Sequence, residues 1–324
     1  MKERQNSQKS DELSDTEEEG KEVRDINENY LSFKHWENLN KNETIDELKP
    51  FGELFDEQKL RIKESSPYSS LKTWEIVKII VKSGNDLRPE QFAMQLISRI
   101  DQTFKAHKVK IWLYPYEIIT TGRNCGIIEF VKNSISLDSL KKKLSALKIG
   151  GLKNFFGHYF IGNDRLKTAR RNFAISLAGY SLITYILQIR DRHNGNILLD
   201  SDGHIIHIDF DFFLSKSPGN LNVENSPFKF TYEYLDILGG VKSRYYTRFR
   251  RSFISGFLAI QKDYKKLLVL IEMMNSTNKD MECLKGNYVT TDLINRIFPR
   301  IRGFPPLTEM NRMECSVHID KYIK

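Results

Sequence analysis

Hydrophobic and polar positions divide the chain into three stretches. Residues 1 to about 50 are polar and acidic, with no sustained apolar period. Such a segment cannot bury enough surface to offset its chain entropy, so a disordered arm with one short helix is expected there. From Leu71 the pattern changes. WEIVKIIVKSG is rich in β-branched residues and reads as a strand ending at Gly84. Pro89 suits a helix start, and PEQFAMQLISRIDQTFK places Phe92, Met94, Leu96, Ile97 and Ile100 at helical spacing. VKIWLYPYEIITT and GIIEFV predict two further strands around a turn at Gly122 to Cys125. Residues 51–132 therefore read as a small β-rich lobe with one helix.

Beyond about residue 134 the period becomes helical, and residues 133–324 read as a second, mainly helical lobe. Arg165 to Ile189 carries Leu166, Phe173, Leu177, Leu182, Ile186 and Leu187, enough for a core helix. Further helices are expected over about 243–274. Between them lies an interruption. NILLD (196–200) and HIIHID (204–209) alternate like strands around Ser201-Asp202-Gly203, and Asp-Gly is a strong hairpin-turn signal. A turn centred there makes facing positions sum to about 405 and sets Asn196 opposite Asp209. The expected fold class is α+β. No internal repeat is present.

Composition adds a compartment and a charge. The 324 residues are 40% hydrophobic, with no apolar run near the length of a membrane span. The start, MKERQNSQKS, lacks the apolar core of a signal peptide. Three scattered cysteines (Cys125, Cys283 and Cys315) form neither a disulfide framework nor a metal-ligand spacing, which points to a reducing, cytosolic setting. The net charge is +8, but residues 1–30 hold ten acidic and five basic side chains, leaving +13 for the remainder. A basic body suits an anionic partner: nucleic acid, nucleotide or membrane surface.

The hairpin carries candidate chemistry. An amide oxygen on Asn196 and a carboxylate on Asp209 suit a hard cation such as Mg²⁺ that keeps other positions for water and phosphate. The Asp191-Arg192-His193 loop could bring a base and two cationic donors to the same end. Two duller readings compete. One is a surface hairpin with uncoordinated charges. The other is a zinc site from His193, His204, His207 and Asp209. Against zinc, His204 and His207 are three apart and point to opposite faces of a strand.

The order Asp191, Asn196, Asp209-Phe210 has the spacing of a kinase catalytic loop and metal motif. D-R-H-N-G-N followed by H-I-D-F resembles the phosphatidylinositol kinase superfamily rather than protein kinases, whose loop reads H-R-D. SSPYSSL (65–71), IIVKSGNDLRPEQ (79–91), RNFAISLAGYSLITYILQIRDRHNGNILLD (171–200) and NSPFKFTYEYLDILGG (225–240) sharpen it. Together they resemble phosphatidylinositol 4-kinases of the type III beta kind, over roughly residues 50 to 275.

That resemblance implies a two-lobed, protein-kinase-like fold and an ATP-dependent phosphorylation of phosphatidylinositol at the inositol 4-hydroxyl. It assigns Lys82 to the ATP phosphates, with Glu90 and Tyr116 holding its neighbourhood. Ser66 and Tyr68 fall in the loop that covers the phosphates, and backbone groups near Glu129 and Val131 would bond adenine. Asp191 and His193 would share the work on the attacking hydroxyl and the transferring phosphoryl group, with their division left open. Asn196 and Asp209 would bind Mg²⁺, or Mn²⁺ in its place. Lys216 and Lys229 are the only cations from Phe212 to Thr231. They are assigned to the lipid substrate, and so few cations favour phosphatidylinositol over its more phosphorylated derivatives.

The implied partners are ATP, phosphatidylinositol in membranes, and a small GTPase or adaptor as recruiter, without nucleic acid. The implied location is the cytosolic face of Golgi or other endomembranes. One departure bears on activity: the family's D-F-G is here Asp209-Phe210-Asp211, at a position where glycine would accept a positive φ. A catalytically impaired scaffold and a related protein Ser/Thr kinase are the alternatives. Finally, Lys242 to Arg251 holds five cations and three aromatics. It reads either as a membrane-docking patch or as a helix surface with Tyr245 and Phe249 packed inward.

Overall fold

The computed structural model describes residues 49–214 and 226–284. The expected arm lies outside these but for its last two residues, as does Lys216. The first helix among the described residues, α1 (Phe55–Ser65), has no counterpart in the expectation, for a physical reason. Phe55 is its only buried residue, so it shows no apolar stripe. The strand expected over WEIVKIIVKSG narrows to β1 (Ile79–Ser83). Ahead of it Glu75 pairs with Lys59 instead of entering a ladder.

Helix α2 (Arg88–Ala106) has Pro89 as its second residue and buries Phe92, Met94, Leu96, Ile97, Ile100 and Phe104. The strand expected from Val109 begins only at Ile118, as β2 (Ile118–Gly122). Pro115 has no N–H to give a ladder. β3 (Cys125–Glu129) pairs antiparallel with both neighbours, so the first sheet has the order β1-β3-β2.

A second three-stranded sheet has the order β4-β5-β6, from β4 (Ser134–Ser136), β5 (Ile197–Asp200) and β6 (Ile205–His207). Around it lie α3 (Leu137–Ala146), α4 (Gly151–Tyr159), α5 (Asn163–Leu187), α6 (Tyr232–Leu238) and α7 (Arg244–Thr277). From Phe173 onward nearly every residue of α5 is buried, which makes it the central helix. Its main neighbour is α7. A Cβ at Gly256 would stand 2.6 Å from Leu182 Cδ1 and 2.5 Å from Ile111 Cδ1, so glycine here permits the close approach of the two helices.

Within Lys242 to Arg251, Tyr245 and Phe249 are buried, as the helix-surface reading expects. Lys242, Arg244, Arg248 and Arg251 are exposed. Phe249 sits 5.2 Å from Phe230 and 6.1 Å from Phe253, ring to ring. Phe249→Ala is expected to cost about 3–5 kcal/mol through lost burial and a residual cavity. Urea denaturation checks this, and a loss under about 1 kcal/mol would mean that the cluster repacks. Among the described residues no helix is long and apolar enough to cross a membrane.

Candidate active site

The hairpin turn is built by Asp200. Its Oδ1 accepts from the N–H groups of Asp202 (3.0 Å) and His204 (2.7 Å), and its Oδ2 lies 2.9 Å from His204 Nδ1. Gly203 supplies the left-handed residue, at φ 89°. The loop therefore closes on an Asp200–His204 pair, and the ladder runs Leu199↔Ile205, Leu198↔Ile206, Ile197↔His207. Facing positions sum to 404, one less than expected. Asn196 thus faces Ile208, whose N–H donates to the Asn196 carbonyl at 3.0 Å, and does not face Asp209. A one-residue shift ordinarily moves a side chain to the other face of the sheet. Asp209 escapes that alternation because β6 ends at His207 and Asp209 turns left-handed, at φ 58°.

The loop before the hairpin is tied to the segment after it. The Arg190 N–H donates to the Phe212 carbonyl at 2.9 Å, and Leu214 N–H to Leu187 O at 2.8 Å. Arg192, expected as a cationic donor at the open end, turns inward and is buried. Its Nε donates to Arg190 O at 2.9 Å, its Nη1 to Ile208 O at 2.8 Å, and its Nη2 to Asp209 O. Three fixed carbonyls outcompete solvent for a fork-shaped donor. Nothing in the letters D-R-H separates a clamp from a substrate contact.

Asp191 is left-handed too, at φ 58°. His193 is half-exposed. Its Nδ1 accepts the Gly195 N–H at 3.0 Å, and its Nε2 stands 3.9 Å from Asp191 Oδ2. Asn196 is buried and donates Nδ2–H to the Asp191 carbonyl at 3.2 Å. Lys229 reaches back onto this loop, donating to Arg192 O at 3.0 Å and to Asn194 Oδ1 at 2.8 Å. Burial, and then the positive charge of Lys141, hold its pKa below the usual lysine range.

On the other side, Lys82 lies 3.9 Å from Glu90 Oε2, and Tyr116 O–H donates to Glu90 Oε1 at 2.7 Å. The same Tyr116 oxygen accepts the Asp209 N–H at 3.3 Å. One long ion pair and two hydrogen bonds, Lys82–Glu90–Tyr116–Asp209, thus join β1 and α2 to the backbone of the motif after the hairpin. Burial is the main cause that raises the Glu90 pKa, with Asp209 and Asp211 adding to it and Tyr116 and Lys82 opposing. Asp209 Oδ1 is buried without a hydrogen-bond partner. Asp211 is not among the residues with positive φ, so aspartate in place of glycine carries no left-handed strain.

Ser66 and Tyr68 bond within their own loop: the Ser66 Oγ accepts from Trp74 Nε1–H (3.0 Å) and from the Tyr68 N–H (3.3 Å). No hydrogen bond joins them to Lys82 or Asn196 among the described residues. At the other end of the sheet, the Glu129 N–H donates to Glu117 O at 2.8 Å and the Phe130 N–H to Lys78 O at 3.0 Å. Strand alternation then turns the Glu129 carbonyl and the Val131 N–H to the edge that β2 leaves uncovered before Ile118. The Glu129 carboxylate is held by Tyr114 O–H (2.6 Å) and by the Glu117 N–H (2.9 Å). Sequence reasoning did not single out Tyr114 or Asn194, which lack any spacing signal of their own.

The zinc set does not assemble. His204 belongs to Asp200 and stacks on Trp112, with ring centroids 4.0 Å apart. His207 stacks on Tyr180 at 4.7 Å, and burial drives its pKa well below the usual histidine value. Among the described residues the group of acidic and histidine side chains that converges is Asp200, Asp202 and His204, all within the turn. Hydrogen bonds of the turn itself account for the Asp200 and His204 contacts.

Residues 76–279 match the family model described as phosphatidylinositol 3- and 4-kinase. A phosphatidylinositol 4-kinase of Dictyostelium discoideum is 39% identical over 284 residues, 87% of this chain and 23% of that protein. Phosphatidylinositol 4-kinase PIK1a of Candida albicans is 41% identical over 256 residues, covering 75% and 27%. Phosphatidylinositol 4-kinase beta of Danio rerio is 38% identical over 244 residues, covering 75% and 29%. The chain spans about a quarter of the length of these relatives. With its α+β architecture, a small β-rich lobe and a mainly helical one in the manner of a protein kinase, the chain belongs to the phosphatidylinositol 3- and 4-kinase family.

Proposed function

We propose that this chain transfers the γ-phosphoryl group of ATP to the 4-hydroxyl of phosphatidylinositol, with residues 51–132 as the small lobe and 133–324 as the large one. The observation that carries the reading is the chain Lys82–Glu90–Tyr116–Asp209, which ends at the backbone N–H of a residue whose side-chain Oδ1 is buried without a hydrogen-bond partner. A buried polar atom without a partner costs about 1–3 kcal/mol and is retained where a ligand completes it. Asn196 commits its Nδ2 to Asp191 O, which leaves its Oδ1 available as a metal ligand. Oxygen donors of this kind fit a hard divalent cation, Mg²⁺ or Mn²⁺. Bound by Asn196 and Asp209, the ion would neutralise charge between the β- and γ-phosphates.

The chain's own residues do the rest. Lys82 supplies a cation to the phosphates and is aimed by Glu90. The Glu129 carbonyl and Val131 N–H form an acceptor–donor pair for adenine. The Ser66 and Tyr68 loop covers the phosphates through serine hydroxyls and backbone N–H groups; the Ser66 Oγ accepts two bonds within the loop, which leaves its O–H to donate. Because His193 Nδ1 accepts a backbone N–H, its neutral ring carries the proton on Nε2. That makes His193 a donor to the transferring phosphoryl group and leaves Asp191 as the base that receives the inositol proton. Lys229 holds the loop from the lipid side. Lys216 lies outside the described residues, and its role as a lipid contact rests on the resemblance alone. Recruitment to the cytosolic face of Golgi or other endomembranes by a small GTPase or adaptor follows from the same likeness.

Lys82→Ala is expected to raise the KM for ATP or lower kcat by about 10-fold or more while lipid KM stays put. Steady-state kinetics with ATP varied check it, and unchanged ATP parameters would remove Lys82 from the site. The reading as a whole is tested by ADP release with phosphatidylinositol vesicles against a peptide mixture. Release with vesicles alone supports it. Release with peptides alone makes the chain a protein kinase, and none with either makes it a scaffold.

A further inference from the structure

Arg192 is a buried arginine, 8% exposed, that donates to backbone carbonyls on both sides of the site. Arg190 O belongs to the loop before the hairpin, and Ile208 O and Asp209 O to the segment after it. Its guanidinium carbon also lies 5.3 Å from the centre of the Phe210 ring, which fixes the plane of the fork. Asp209 is thereby gripped on both sides of its Cα: Arg192 donates to its carbonyl and Tyr116 accepts its N–H. The grip holds Asp209 at a left-handed φ of 58°, a conformation that few residues with a Cβ adopt. The register correction adds to the argument. Asn196 and Asp209 are not cross-strand partners, so the ladder does not set their separation. Arg192 spans the gap that the ladder leaves.

We infer that Arg192 is a positioning residue whose guanidinium sets where the Asp209 carboxylate stands relative to Asp191 and Asn196. It acts through backbone carbonyls and touches no reacting atom. The inference rests on the reading of Asn196 and Asp209 as cation-binding residues. A lysine cannot replace it, since one ammonium does not reproduce a planar fork of donors. Groups that orient metal ligands in this way typically affect metal affinity by about 10- to 100-fold.

The test compares binding of adenosine with Mn²⁺-dependent binding of a non-hydrolysable ATP analogue, by equilibrium dialysis of the full chain. Wild type, Asp209→Asn, Arg192→Lys and Arg192→Ala are measured side by side. Adenosine affinity should be the same in all four, because the adenine edge is not involved. Tightening of the analogue by Mn²⁺ should be lost in Asp209→Asn and should fall by about 10-fold or more in Arg192→Lys, and further in Arg192→Ala. If Arg192→Ala does not fold, Arg192→Lys decides alone. Wild-type tightening in Arg192→Lys overturns the inference while the Asp209 reading stands. Equal loss of adenosine affinity overturns it too, since the arginine would then only hold the fold. No Mn²⁺ effect in wild type, or an unchanged one in Asp209→Asn, sinks the cation reading itself.

Discussion

Asp209→Asn is expected to abolish lipid phosphorylation while leaving the protein at least as stable as wild type. The two effects have one cause. Asp209 Oδ1 is buried and unpartnered, so a neutral amide of the same shape removes no hydrogen bond that the folded chain makes there. The carboxylate charge is what a divalent cation needs, and an amide oxygen is a weaker ligand for it. Asparagine also tolerates the left-handed φ of 58° at this position. Turnover on phosphatidylinositol in mixed micelles should fall below about one tenth of wild type, a loss above 1.4 kcal/mol of transition-state stabilisation. Thermal unfolding should show no drop in Tm. Retained turnover in a folded variant would remove Asp209 from the site.

Loss of the base comes second. General-base groups contribute about 10²- to 10⁴-fold, and Asp191→Asn should lower kcat within that range with little change in the KM for ATP. Asparagine is the cleaner choice here because Asp191 also sits at φ 58°. Alanine would add about 1–2 kcal/mol of backbone strain and blur the result. His193→Ala should lose less, as a donor to the phosphoryl group that solvent can partly replace at a half-exposed site. A larger loss at His193 than at Asp191 would exchange their roles.

Much of this was legible in the sequence because hydrophobic period records burial. Helix α2 starts one residue before Pro89, and its buried apolar residues are those spaced along PEQFAMQLISRIDQTFK. Helix α5 buries the apolar run from Phe173 to Leu187. Where burial was slight the signal vanished. Helix α1 buries Phe55 alone, and the residues ahead of β1 alternate without entering a ladder. Register lay beyond the pattern for a different reason. A turn centred on Asp-Gly and one closed by the Asp200 carboxylate differ by a single residue. Only the hydrogen bonds of the turn choose between them.

The site shows the same division. Lys82, Glu90, Tyr116, Asp191, His193, Asn196 and Asp209 were named from motif spacing and family resemblance, and hydrogen bonds or ion pairs join them in two groups: Lys82, Glu90, Tyr116 and Asp209 in one, Asp191, His193 and Asn196 in the other. Arg192 was named with the wrong direction. A guanidinium in a polar loop reads as a substrate contact, and only the positions of three carbonyls turn it inward. The departure at Asp211 worked in reverse. It suggests strain in the letters, yet the left-handed residue of the motif is Asp209.

The measurement that bears most directly on the central claim is the position of the new phosphate. Phosphatidylinositol vesicles and labelled ATP are incubated with the protein, the product is deacylated, and the glycerophosphoinositol phosphates are separated. Label in the inositol 4-phosphate fraction, absent from Asp209→Asn, is the result expected. Label at the 3-position, or on no lipid at all, would contradict the claim.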